Sequence, residues 1–172
     1  MTAAIWLTGY SGAGKSTIAA LLHAALPGSV LLDGDTIRCG LNSDLRFSNA
    51  DRAENIRRVA EVARLIVASK HIAIVALISP FRADRDLARA MFAPGQVVEV
   101  FVDTPLAVAE ARDEKGLYRR ARAGQLPQFT GIDSPYEAPL NAEICVDSTL
   151  ASADECAQKI LRLLEQHSPL TG

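Results

Sequence analysis

The stretch Gly9-Tyr10-Ser11-Gly12-Ala13-Gly14-Lys15-Ser16-Thr17 constrains this chain more than any other. It satisfies GxxxxGK[ST], with the apolar run Ala4–Thr8 before it and a helix-forming stretch, Ser16–Leu26, after it. Glycines let the backbone curl until several N–H groups point at one anion, and the following helix adds the positive end of its dipole. Lys15 carries a mobile charge suited to the β- and γ-phosphates of ATP, and the Ser16 hydroxyl is a ligand for Mg²⁺. All nine residues are therefore candidate nucleotide contacts. A loop of this kind works only between a strand and a helix, so it commits the chain to an α/β fold.

The rest of the pattern agrees. Ser29–Leu32 reads as a second strand stopping at Asp33-Gly34-Asp35, and Ser48 with Asp51 opens a helix to about Ser69. Ile72–Ile78 is apolar without alternation, as in a strand buried on both faces of a parallel sheet. A helix over Asp84–Phe92, a strand over Val97–Val102, a helix to about Arg112 with Thr104 as N-cap and Pro105 at its first position, a short strand Ile144–Val146 and a last helix capped by Ser152 complete the series. This βα order predicts a P-loop kinase-like three-layer sandwich, with a parallel five-stranded sheet flanked by helices in one domain over 1–172. Ligands in such sheets bind beyond the carboxyl ends of the strands, where the phosphate loop, Asp33, Asp35, Ser79 and Asp103 fall.

Composition excludes other classes. The net charge is −2, against a nucleic-acid binder, and no apolar run approaches the ~20 residues of a spanning helix. The three cysteines form no CxxC pair. Without a secretion-signal pattern at the N-terminus, the expected location is the cytoplasm. No [NT]KxD guanine-reading element occurs, so a compact kinase remains.

Asp33 and Asp35 can face the γ-phosphate and take the proton of an attacking hydroxyl or hold Mg²⁺ through water. Arg38, Arg52, Asn55, Arg57 and Arg58 cluster downstream; Arg52 and Asn55 share one helix face, suited to a multiply charged anion, while Arg57 and Arg58 fit a solvated face equally well. The basic segment at about 112–132, with Arg112, Lys115, Arg119, Arg120 and Arg122 between glycines, reads as a mobile lid. Phe47 and Phe129 stand in polar loops, where two rings either sandwich a base or cover core.

The chain resembles the adenylylsulfate (APS) kinase family over nearly its whole length. The matching stretches are GYSGAGKST, LLDGD with Arg38, DRAENIRR, ISPF with DRD, VFVDTPL, ARDEKGLY, ARAG and FTGIDSPYEAP. The resemblance implies transfer of the ATP γ-phosphoryl group to the ribose 3′-hydroxyl of adenosine 5′-phosphosulfate, the sulfate-activating step that makes 3′-phosphoadenosine 5′-phosphosulfate, by a Mg²⁺-dependent homodimer. It implies that Phe47 and Phe129 stack on the APS adenine. Arg38, Arg52 and Asn55 would hold phosphosulfate and ribose, and Ile78, Ser79, Lys115 and Leu117 would line the same pocket. Asp33 and Asp35 would serve the acceptor hydroxyl and the metal (Ser16 and Asp35 being its ligands), with Arg112 near the ATP adenine. The family pattern also marks Ser79 as a phosphoserine, although direct in-line transfer needs no covalent step. Thr36, Cys39 and Arg46 replace the family's usual Asn, His and Gly. Two rivals stay open: a kinase of another small acceptor on the same frame, and a non-catalytic nucleotide-binding domain, against which intact Lys15, Ser16, Asp33 and Asp35 count.

Overall fold

The computed structural model describes residues 2–167. Five parallel strands, β1 (Ala4–Thr8), β2 (Ser29–Asp33), β3 (Ile72–Ala76), β4 (Val97–Asp103) and β5 (Ile144–Asp147), form one sheet in the order β2-β3-β1-β4-β5. β1 lies at the centre, with Ala4 opposite Ala73 on one side and Val97 on the other. Every residue of β1 is buried, because both faces of the sheet are covered. Ile5 and Leu7 pack with Ile18 and Leu22 of α1 (Lys15–Ala25) and Ile160 of α7 (Ala153–His167). Ala4 and Trp6 face the other way, onto Val59 and Ala63 of α3 (Asn49–Ala68) and Ala88 of α4 (Arg82–Arg89). A strand read as a continuous apolar run therefore serves two cores at once. The expected three layers and five parallel strands are the observed ones.

Local corrections are few. A short helix, α2 (Gly34–Cys39), stands where the sequence reads as a turn; the Asp33 carboxylate caps it by accepting from the Asp35 N–H at 3.1 Å. α5 (Leu106–Arg112) starts one residue late. Pro105 is its N-cap in an extended conformation, and Thr104, instead of capping, shares a 2.6 Å hydrogen bond with Ser148. The lid carries its own helix, α6 (Leu117–Arg122). Ser48 caps α3 through the Asp51 N–H at 3.1 Å, as its sequence requires. No helix among the described residues is long and apolar enough to cross a membrane.

Candidate active site

β1 ends at Thr8, and the chain must then turn sharply toward α1. Gly9 makes that turn at φ +151°, where a Cβ would lie 2.6 Å from the Val102 carbonyl oxygen of β4. The loop curls on, and Lys15 ends beneath it with its ammonium donating to the Tyr10 carbonyl at 2.6 Å. Burial first, and then the charge of Lys115, lowers the Lys15 pKa to about 7. Ser16 donates to Asp33 at 2.6 Å, so the loop and the end of β2 meet at a hydroxyl–carboxylate pair.

The loop forms one end of a cavity of about 660 Å³. Ser11, Gly12, Gly14, Lys15 and Ser16 line that end, with Asp33 and Asp35 beside them. Ile78 and Ser79, past β3, form the floor. The far end holds Arg38, Phe47, Arg52, Asn55 and Phe129, and the lid contributes Lys115, Leu117 and Arg120. Cys39 also reaches the cavity. Gly9, Tyr10, Ala13 and Thr17 do not line it; Ala13 is fully buried behind the loop, and Tyr10 packs on Tyr136 with ring centroids 4.8 Å apart. Arg112 stays outside as well, tying the Gly12 carbonyl (3.2 Å) to the Ser148 carbonyl (2.8 Å). Asp103 is likewise off the cavity, its carbonyl accepting from the Ser148 N–H.

Several expected roles are refined by what the side chains touch. The Arg52 guanidinium donates to the Phe47 carbonyl at 2.9 Å and to the Gln128 carbonyl and Thr130 hydroxyl of the lid's far end. It clasps the start of α3 to the lid, and with five N–H groups it retains donors for an anion. Asn55 receives the Asn42 amide on its oxygen at 2.9 Å, which leaves its own NH₂ as the group offered to the cavity. The Arg38 guanidinium lies 4.6 Å over the Phe47 ring and donates to the Arg46 carbonyl. Phe47 is exposed, whereas Phe129 is buried edge-on against Tyr118 at 5.0 Å, so Phe129 serves a small core as well as the cavity wall. Lys115 is ion-paired with Asp35, while Asp33 takes Ser16. Arg57 and Arg58 bind Glu54 and Asp44 on the solvent side of α3 and belong to the solvated face. Arg122 pairs with Glu110, again away from the cavity. Arg46 is exposed and outside the positive-φ region, held through its N–H by Asp51 at 3.2 Å.

Three supporting residues carry no catalytic motif of their own. Tyr118 donates from under the lid to the Ser11 carbonyl at 2.8 Å, and burial raises its phenol pKa. Asp133 accepts from the Gln128 and Phe129 N–H groups at 2.6 and 2.5 Å and so fixes the turn that carries Phe129. Arg85 is buried and joins the Ser79 carbonyl (2.6 Å) to the Glu137 carbonyl (2.7 Å). Of these, only Asp133 has a local signal, as an Asp between Gly131 and Pro135.

A phosphate cradle that opens onto a lidded cavity, with room there for a small charged acceptor, defines a P-loop kinase of small molecules. Comparison with known proteins narrows this. The adenylylsulphate kinase family model matches residues 1–147, and the chain belongs to that family. It is 59% identical over 164 residues to the adenylyl-sulfate kinase of Burkholderia ambifaria, covering 93% of this chain and 91% of that one. Among solved structures, that of the Mycobacterium tuberculosis APS kinase CysC in complex with AMPPNP and APS superposes with a TM-score of 0.88 at 46% identity, covering 95% of this chain and 97% of the other. The hexameric APS kinase from Thiobacillus denitrificans matches at a TM-score of 0.71 and 35% identity, covering 95% of this chain and 28% of that longer one.

Proposed function

We propose that this chain transfers the γ-phosphoryl group of ATP to the 3′-hydroxyl of adenosine 5′-phosphosulfate. The observation that most supports this is the continuity of the cavity, with Lys15 and Ser16 at one end and the aromatic and cationic side chains Arg38, Phe47, Arg52 and Phe129 at the other. Phosphoryl transfer of this kind depends on in-line placement and charge stabilisation more than on covalent chemistry. The loop N–H groups and Lys15 would hold the donor phosphates. Phe47 would cover the acceptor base at the mouth, and Arg38, Arg52 and the Asn55 amide would bind the phosphosulfate and ribose.

The two carboxylates divide the remaining work. Ser16, Asp33 and Asp35 offer only oxygen atoms, which fits Mg²⁺, a cation that takes one or two carboxylates and fills its shell with phosphate and water. Ser16 and Asp33, already 2.6 Å apart, would hold it, in place of the Ser16–Asp35 pair implied by the resemblance. When bound, it neutralises charge on the β- and γ-phosphates. Asp35 then serves the acceptor hydroxyl once Lys115 leaves it for the incoming phosphates. The same reading carries a cytoplasmic location and a homodimer, and light scattering of the purified chain tests the latter. A coupled ADP assay with and without APS tests the activity. ADP release that is indifferent to APS, or faster with a sugar acceptor, overturns the proposal.

A further inference from the structure

Ser79 is the most constrained side chain of the cavity floor. It is 3% exposed and sits at φ +47°, a left-handed conformation that non-glycine residues hold only when their surroundings enforce it. The enforcement comes from one nearby helix and from distant parts of the chain. Arg85 donates to the Ser79 carbonyl at 2.6 Å, and Thr8, the last residue before the phosphate loop, donates to the Ile78 carbonyl at 2.7 Å. Tyr136 completes the set by hydrogen-bonding the Thr8 hydroxyl at 2.9 Å. The fourth contact is on the side chain itself. The Trp6 indole N–H, in the middle of β1, reaches Ser79 Oγ at 3.0 Å.

That contact has a chemical direction. An indole N–H only donates, so Ser79 Oγ accepts and one of its lone pairs is taken. The hydroxyl proton has no acceptor of its own among the described residues, and no carboxylate or imidazole hydrogen-bonds the oxygen. A nucleophilic serine needs an adjacent base to receive its proton, and Ser79 has none. A hydroxyl whose oxygen is tethered by the indole, in the lining of the cavity, is left with its proton to offer to a ligand there.

We infer that Trp6 is a positioning residue of the acceptor site: it orients Ser79, which the family resemblance already sets in the acceptor pocket, to donate its hydroxyl proton to an oxygen or ring nitrogen of the bound acceptor nucleotide and not to carry the phosphoryl group. This rests on the kinase reading above and adds to it a residue seventy-three positions from Ser79 that does not line the cavity.

The test is a mutant cycle on the full chain, with APS and ATP varied separately. Ser79→Ala is expected to raise the APS KM about three- to tenfold, the size of one hydrogen bond, with the ATP KM unmoved. Trp6→Phe keeps a ring in the core and removes only the N–H donor; it is expected to raise the APS KM, by no more than Ser79→Ala does, and an unchanged APS KM overturns the inference. The double variant should match Ser79→Ala alone, because Trp6 acts through that hydroxyl. Additive losses, or a Trp6→Phe variant that shifts both KM values equally, make Trp6 a purely structural residue and overturn the inference. Trp6 is the chain's one tryptophan, so its emission should respond to APS in the parent protein and respond less in Ser79→Ala. This second readout decides the matter if Trp6→Phe does not fold. Labelled phosphate on Ser79 after incubation with [γ-³²P]ATP alone also overturns it. If the parent protein releases no ADP on adding APS, the kinase reading fails first; an active enzyme whose Ser79→Ala variant keeps its APS KM refutes this inference alone.

Discussion

Lys15 gives the sharpest prediction, because its environment before and after nucleotide binding differs by a charge. In the free protein its ammonium is buried against the Tyr10 carbonyl, and burial with the nearby Lys115 lowers its pKa to about 7. Phosphates in the loop would favour the charged form strongly, so binding ATP above neutral pH must draw in a proton. At pH 8 a group with this pKa is charged in about one molecule in eleven, so ATP binding should take up about 0.9 proton, against about 0.1 at pH 6. The cost of recharging weakens ATP binding by about tenfold, or about 1.4 kcal/mol, for each pH unit above 7. Calorimetry of ATP binding in two buffers of different ionisation enthalpy measures the uptake, and Lys15→Met subtracts the titration of ATP itself. Equal proton uptake by the parent and Lys15→Met at pH 8 would refute the reasoning. The same shift acts on stability. The unfolded chain holds the Lys15 proton up to its ordinary 10.5 while the folded chain releases it near 7, so between these values the unfolded state binds more protons and the nucleotide-free fold gains stability as pH rises. Below about 7 the burial penalty is present in full, and in Lys15→Met this dependence should be absent.

Other substitutions separate binding from scaffolding. Arg52→Ala removes a buried clasp with three acceptors; it should destabilise the fold by about 2–3 kcal/mol, lower Tm by roughly 4–12 °C and raise the APS KM, all read by thermal melts and initial rates. Arg46→Gly, at an exposed site, should change the APS KM by less than about tenfold and by less than Arg52→Ala does; the reverse ranking would mean that the acceptor binds elsewhere. Phe47→Ala should weaken APS binding by roughly 1–3 kcal/mol with Tm unchanged, whereas Phe129→Ala should also lose the edge-on packing against Tyr118 and cost about 3–5 kcal/mol in a denaturant melt. Gly9→Ala forces a Cβ against the Val102 carbonyl of β4; a variant that keeps parental Tm and ATP affinity would contradict that contact.

Much of this protein is written locally. The phosphate loop declares itself because its chemistry is confined to nine consecutive residues between a strand and a helix. Ser48 caps α3 through a residue three positions on, and β1 and β3 are continuous apolar runs because each lies between two helical layers. Such features depend on neighbours in the chain, so the chain alone determines them. Even locally the reading has limits. Asp-Gly-Asp has turn composition, and only the Asp33 cap reveals the helix α2; Pro105 suits a first helical position, and only the Thr104–Ser148 contact moves that helix start onward.

What tertiary structure decided is which polar groups answer one another. The sequence marks Arg52, Lys115, Asp35 and Ser79 as site residues but cannot assign their partners. Arg52 reaches the lid 76 and 78 positions away, Lys115 meets Asp35 across 80, and Trp6 meets Ser79 across 73. For Arg57 and Arg58 the sequence leaves a site role and a solvated face both open, and it is the rotation of α3 that turns them to Glu54 and Asp44 on the solvent side. The physical reason is the directionality of hydrogen bonds. Burying apolar surface needs only a pattern of residues, which a linear sequence carries. Pairing a donor with an acceptor needs a distance and an angle, and these exist only once the sheet has brought the ends of its strands together.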